Sequence, residues 1–244
     1  MFNDGSLTIT STTFLSNTSN GDGGAIVASD TLLIWSSTFQ GNECLQDNCR
    51  GGALGTSART NLIQASTFTG NTAVAGGGLY AGESSQPHLL NLTIADNEAP
   101  FGSGLYVEVL AQVGLTNTLV ANNGAVNCGG QLDFGTNNLE WPGSSCDTVG
   151  PSAGFSSGDP LLGPLADNTG LTKTRALGAG SAAIDAGDNA TCAGPLVNNR
   201  DQRNKIRPSD GDSDDNAVCD IGAYEAPAVH GPHEYLLYLP LTLR

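Results

Sequence analysis

Apolar and polar residues alternate in short runs along the first half of the chain, and the runs recur at a nearly constant spacing. Runs such as LTIT, LLIW and LYVEV are bounded by Gly or Asn, which is typical of strands between turns. Five successive segments place an apolar residue at steps of 25, 29, 26 and 26 residues, at Phe14, Phe39, Phe68, Ile94 and Val120. The chain therefore contains a repeat of about 26 residues.

Two further positions recur in register with this one. An asparagine follows each apolar residue by three positions, at Asn17, Asn42, Asn71, Asn97 and Asn123. An aliphatic residue precedes each by five positions, at Ile9, Ile34, Ile63, Leu89 and Leu115. Glycine-rich blocks such as GGAI and GGAL lie between the segments and supply turn conformations.

A short repeat that keeps its motif order predicts coils stacked on one another, because hairpins would need more residues to return to the same point. Stacked strands lie about 4.8 Å apart, so equivalent residues lie above one another. The aliphatic residues would fill the interior, and the asparagines would form an internal ladder, since an amide both donates and accepts. The predicted fold class is all-β: a right-handed parallel β-helix of about five coils, with an irregular, disulfide-stapled C-terminal cap.

Composition narrows the possible partners. The 244 residues include 24 acidic and 9 basic side chains, a net charge of −15, which argues against nucleic acid and anionic lipid. No apolar run approaches the ~18 residues of a membrane-spanning helix. The N-terminus has no signal-peptide pattern and falls inside a repeat, so we expect that N-terminal coils are missing.

The six cysteines form three pairs that are close in sequence: Cys44 with Cys49, Cys128 with Cys146, and Cys192 with Cys219. No CxxC zinc motif occurs, and an even count favours disulfides, although six cysteines allow fifteen connectivities. Disulfides in turn favour an extracellular or cell-surface location.

Two resemblances follow from these motifs. The FLSN…GGAI, FQGN…GGAL and FTGN…GGGL pairs over residues 1–130 resemble the repeats of polymorphic outer membrane proteins, which are surface-displayed β-helical adhesins. The phrases DPLLGPLADNTG, GSAAIDAGD, RDQR and CDIGAYE resemble, in that order, the C-terminal region of choice-of-anchor Q surface proteins. We therefore predict repeats over residues 1–130, a cap over 131–226, and a linker with a short tail over 227–244.

Candidate chemistry is concentrated in one acidic loop, SDGDSDDNAVCD. Alternating carboxylates in a glycine-containing loop can converge on Ca²⁺, and we assign Asp210, Asp212 and Asp214 as candidate ligands. Asp220 could add a further ligand. The alternative is a solvated acidic loop, and the spacing is not that of an EF-hand.

The functional hypothesis is a non-catalytic, secreted or cell-surface protein, such as an adhesin, stalk or envelope component, which binds glycans, a host or cell-surface partner, or calcium. No Ser/His/Asp or Cys/His arrangement is evident, and the repeats offer only Arg50 and Arg59 as bases. The alternative is an extracellular polysaccharide lyase or glycoside hydrolase. Its mark would be a pair of carboxylates in a surface groove beside an aromatic platform.

Overall fold

The computed structural model describes residues 1–149 and 152–229, and its first half is a parallel β-solenoid of three sheets. Sheet A contains the strands Phe2–Asn3, Ile26–Ala28, Leu54–Thr56, Leu79–Ala81, Leu105–Val107 and Cys128–Gly130. Sheet B contains Leu7–Thr10, Leu32–Trp35, Asn61–Gln64, Pro87–Leu90, Gly114–Thr116 and Phe134–Thr136. Sheet C contains Thr13–Leu15, Thr38–Gln40, Thr67–Thr69, Thr93–Ala95, Leu119–Ala121, Asn138–Trp141 and Phe155–Ser157. The all-β class and the stacking of about five turns are confirmed.

The remaining elements are small. Thr18–Ser19 pairs in parallel with Glu43–Cys44, and Leu162–Ala166 forms an antiparallel pair with Thr174–Leu177. Two five-residue helices cover Ser145–Val149 and Asn189–Ala193. Within the described ranges, neither helix has the length or the apolar character needed to cross a bilayer.

The repeat positions stack in register along the interior, as predicted. Ile9, Ile34 and Ile63 align in sheet B, and the aliphatic series continues through the next coils. In sheet C the rings of Phe14 and Phe39 lie 4.7 Å apart and nearly parallel, and Phe39 and Phe68 lie 4.6 Å apart. Burial of these side chains stabilises the coil, at about 1.5–3 kcal/mol for each fully buried one.

The asparagines form the expected ladder at the turn from sheet C to sheet A. Asn42 Nδ2 donates to Asn71 Oδ1 at 2.9 Å, and Asn71 Nδ2 donates to Asn97 Oδ1 at 2.8 Å. The ladder then passes through Asn123 to Asn127, one member beyond the predicted five. The amide oxygens from Asn42 to Asn127 also each accept a backbone N–H, so the ladder satisfies polar groups that would otherwise be buried without partners.

Paired glycines precede three of the sheet A strands, at Gly23–Gly24, Gly51–Gly52 and Gly76–Gly77, and close backbone approach requires them. Gly51 has φ +73°, and a Cβ there would lie 2.4 Å from the carbonyl oxygen of Leu54. A Cβ on Gly52 would lie 2.3 Å from the carbonyl oxygen of Gly77 in the next coil. Only glycine fits both positions, and this accounts for the GG part of the repeat.

The coils extend beyond residue 130, where we expected the cap to begin. Phe134–Thr136, Asn138–Trp141 and Phe155–Ser157 continue sheets B and C. The end of the solenoid is closed by the helix Ser145–Val149, whose Cys146 is buried in the main core. Glu140 anchors this helix by accepting the backbone N–H groups of Ser145 and Cys146, each at 2.8 Å.

Residues 158–229, which we call the strap, run along the outer face of sheet C instead of covering the end. The side chain of Gln202 donates to Thr38 Oγ1 at 2.9 Å and accepts from Thr67 Oγ1 at 2.6 Å. Farther along, the backbone N–H of Ala223 donates to Thr93 Oγ1 at 3.0 Å. These threonines occupy equivalent outward positions of successive sheet C strands, so the strap is fixed coil by coil. The predicted cap is thus a short end closure followed by a lateral strap.

The three predicted disulfides are present. Cys44–Cys49 clips the extra loop of the second coil, Cys128–Cys146 ties the end helix to sheet A, and Cys192–Cys219 closes the strap on itself. The predicted linker and tail cover residues 227–244, of which residues 230–244 lie outside the described residues.

Candidate functional site

The acidic loop predicted to bind calcium lies in the strap. Asp210 and Asp212 come together with Asp185, and one carboxylate oxygen of each lies within 4.8 Å of the others. Asp214 does not belong to this group, and its carboxylate accepts the backbone N–H of Asn216 at 2.8 Å. Asp185 could not be found from spacing, because it precedes Asp210 by 25 residues and belongs to a separate phrase of the sequence.

Backbone N–H groups of the strap hold the Asp185 carboxylate in place. It is half-buried, and it accepts the backbone N–H groups of Gly211 at 2.8 Å and Val218 at 3.0 Å. Burial raises the pKa of Asp185, those two N–H groups lower it, and the charges of Asp212 and Asp210 raise it again. Three converging carboxylates are ligands that Ca²⁺ accepts, so the calcium site stays a prediction, with Asp185 in the place of Asp214.

Asp220, the further ligand considered from the sequence, is buried in a network of its own. Its carboxylate accepts the backbone N–H groups of Asp185 at 2.9 Å and Ala226 at 2.5 Å. Glu225 accepts the backbone N–H of Asp220 and lies 3.4 Å from Arg207 Nε. Burial raises the pKa of Asp220 to about 6 and that of Glu225 to about 8, against the opposing charge of Arg207. This network holds the strap together and leaves Asp220 outside the three-carboxylate group.

A second feature is a surface groove of about 340 Å³ beside sheet A. Six aromatic or charged residues line it: Tyr80, Tyr106, Phe101, Asp47, Arg50 and Glu108. Val74 and Ala75 also line it. Small residues beside large rings leave an open depression on the side of the solenoid.

Two tyrosines form the aromatic wall of the groove. Tyr80 and Tyr106 are paired residues of neighbouring sheet A strands, so both side chains point outward, one above the other. Their rings are nearly parallel, with centroids 5.9 Å apart. The sequence carries a signal for this pair, since GGGLY and GSGLY put a tyrosine at the same repeat position, but sequence reasoning missed it.

A chain of hydrogen bonds fixes Tyr80. The Arg50 guanidinium donates to the Tyr80 hydroxyl at 2.7 Å, and that hydroxyl donates to Glu108 Oε1 at 2.7 Å. Arg50 also lies over the Tyr80 ring, 5.2 Å from its centroid, and 3.7 Å from the Glu108 carboxylate. Burial, followed by the hydrogen bond to Glu108, raises the pKa of Tyr80 well above its usual range. Tyr80 therefore stays a neutral donor, which makes it unsuitable as a general base.

The disulfide-clipped loop also lines the groove. The extra residues of the second coil place Asp47 and Asn48 there. The two cysteines of the clip pack on Ala73, and the backbone N–H of Val74 donates to the carbonyl of Cys49 at 3.1 Å. The loop is thus fixed to a neighbouring coil, and its Asp47 is an exposed residue at the groove.

A family model described as "Right handed beta helix region" matches residues 1–143, more than half of the chain. The chain belongs to the right-handed β-helix family. No curated protein and no solved structure is significantly similar to it.

In this β-helix protein, the aromatic groove and the acidic cluster are separate sites. The groove combines flat apolar surfaces with fixed charged groups, which suits a ligand that has both an apolar face and hydroxyl groups. The acidic cluster offers only oxygen ligands, which suits a hard cation.

Proposed function

We propose that this β-helix protein is a non-catalytic glycan-binding protein and that the groove beside sheet A is its binding site. The half-buried ring of Tyr106, stacked on the buried Tyr80 and next to the hydrogen-bonded Arg50 and Glu108, carries this proposal. A pyranose ring has an apolar C–H face and a rim of hydroxyl groups, and the groove has a matching surface for each. Its volume falls near the lower end of the ~300–1,000 Å³ that is usual for small-ligand sites, which fits a short saccharide segment.

The proposal includes an extracellular or cell-surface setting, in which the solenoid serves as an adhesin, stalk or envelope component. Three disulfides support that setting, because disulfides persist in oxidising compartments. The resemblance of the repeats to polymorphic outer membrane proteins, and of the later phrases to choice-of-anchor Q proteins, supports it as well. The excess of acidic side chains would limit nonspecific contact with other anionic polymers.

A second candidate function is that of a polysaccharide lyase or glycoside hydrolase. Asp47 and Glu108 line one groove beside aromatic rings, and glycoside hydrolases use a pair of carboxylates in such a groove. Two observations disfavour it: Glu108 is already bonded to Tyr80 and close to Arg50, and Asp47 is exposed on a loop. A catalytic pair requires two carboxylates held rigidly in a productive geometry.

One panel of plant, algal and bacterial oligosaccharides separates these functions. Binding is measured by calorimetry, and catalysis is measured as new reducing ends over a denatured control, with and without calcium. We expect binding to at least one glycan class and no new reducing ends. Enzyme-dependent release of reducing ends would replace the proposal with the catalytic alternative, and an absence of binding across the panel would refute the groove as a glycan site.

Substitution then locates the binding. Tyr106→Ala removes one stacking surface, and we expect affinity to fall about two- to tenfold, from an aromatic contact worth about 0.5–1.5 kcal/mol. Phe134→Ala is the matched control, because Phe134 is an exposed aromatic residue on sheet B, outside the groove. Equal losses in the two variants would show that binding does not occur in the groove.

A further inference from the structure

The groove has an excess of negative charge although it contains an arginine. Asp47 and Glu108 contribute two carboxylates, and Arg50 contributes the single positive charge among the lining residues. Arg50 is already engaged, since it donates to the Tyr80 hydroxyl and lies 3.7 Å from Glu108. Asp22, which accepts the backbone N–H of Arg50 at 2.8 Å, adds another carboxylate nearby. An anionic ligand would therefore meet repulsion here, and the net charge of −15 would strengthen it.

The aromatic surfaces of the groove favour the opposite charge. An aromatic face attracts cations through its quadrupole, and Arg50 uses the Tyr80 ring in this way at 5.2 Å. The rings of Tyr106 and Phe101 also line the groove, and Phe101 is 59% exposed. The groove thus keeps aromatic surface and a carboxylate, that of Asp47, available to a positively charged group.

We infer that the groove selects saccharides that carry a protonated free amine over neutral or uronate-containing ones. This inference rests on the proposed glycan-binding function and names the ligand class of the same site. The sugar ring stacks on Tyr106, and the ammonium group lies between the aromatic rings and the carboxylate of Asp47, with the charge of Glu108 adding to the negative potential. The disulfide loop acts in selection, because it supplies Asp47.

The test compares three oligosaccharides of equal length by calorimetry in low-salt buffer. These are a glucosamine oligomer, its N-acetylated counterpart and an oligogalacturonate. We expect the glucosamine oligomer to bind about fivefold more tightly than the acetylated one, from one or two exposed charge pairs. The oligogalacturonate should bind most weakly, and 0.5 M salt should remove most of the preference. Equal affinity for the amine and the acetamide would overturn the inference but leave the glycan function standing. No binding by any of the three would also overturn the inference, and binding across the wider oligosaccharide panel would then decide whether the glycan function stands.

Variants distinguish the groove from general attraction to an acidic protein. Asp47→Asn should reduce the preference for the amine to about twofold while leaving the affinity for the acetylated oligomer unchanged. Asp30→Asn, an equal loss of charge at an exposed turn outside the groove, should leave the preference intact. Tyr106→Ala should weaken both ligands. If Asp30→Asn lowers the preference as much as Asp47→Asn, or if Tyr106→Ala leaves amine binding unchanged, the charge selection does not arise in the groove.

Discussion

Replacing Asn71 with alanine should destabilise the protein much more than the same replacement at Asn17. Both belong to the asparagine ladder, but Asn71 is fully buried and Asn17 is exposed at the first coil. The Asn71 side chain accepts from both nitrogens of Asn42 and donates to Asn97 Oδ1 and to the carbonyl of Phe39. The Asn17 side chain makes one ladder bond, to Asn42.

The expected magnitudes follow from these bonds. Asn71→Ala removes four hydrogen bonds at about 1 kcal/mol each and leaves the buried backbone N–H of Asn42 without a partner, so the loss is about 4 kcal/mol or more. Asn17→Ala removes one exposed bond and should cost less than about 1 kcal/mol.

Urea unfolding followed by circular dichroism measures the difference. With an m-value of about 3 kcal/mol/M, the midpoint should fall by roughly 1.3 M for Asn71→Ala and hardly move for Asn17→Ala. Similar midpoints for the two variants would mean that the ladder contributes through the turn backbone and not through its amide bonds, and the reasoning above would be refuted.

Three further predictions concern other parts of the molecule. Gly52→Ala should lower the free energy of unfolding by more than about 3 kcal/mol, because its Cβ would lie 2.3 Å from the carbonyl oxygen of Gly77. Gly21→Ala is the control: its Cβ would have no atom within 4 Å, so the same urea assay should show almost no change. The pKa of Glu225 is raised from 4.5 to about 8, so its stabilising contribution is complete below about pH 4.5 and is lost as the pH rises through about 8. The urea midpoint of the protein should therefore fall from pH 5 to pH 9, and it should fall less steeply in Glu225→Gln. A midpoint that rises over that pH range would contradict the prediction. Calcium at 100 times its dissociation constant should stabilise the fold by about 2.7 kcal/mol in thermal unfolding, and an identical shift in Asp212→Asn would exclude the acidic cluster.

The coil could be predicted from sequence because its determinants repeat. Phe39, Asn42 and Gly51 each have counterparts about 26 residues away, and identical residues in successive coils become neighbours. Local repetition therefore determines both the strand register and the identity of the interior residues.

The course of the strap and the ligand groups could not be predicted in the same way. Gln202 reaches Thr38 and Thr67 across 164 and 135 residues, and a single non-repeated contact leaves no periodic trace. Asp185 and Asp210 are likewise brought together by the folding of the strap, and no repeat in the sequence marks the pair. The groove could be predicted only in part, because its tyrosines follow the repeat while Asp47 comes from an insertion.

The strap changes how the solenoid would respond to a pulling force. In a simple stack each coil contacts only its neighbours, so coils can peel away from one end in sequence. Here a single stretch of chain is bonded to the outer face of sheet C at Thr38, Thr67 and Thr93, and it forms an ion pair with Asp96 through Arg175. Detaching one coil at the side of the strap therefore requires the strap to detach as well. The strap thus couples the second, third and fourth coils, so that a force applied to one of them is shared with the other two.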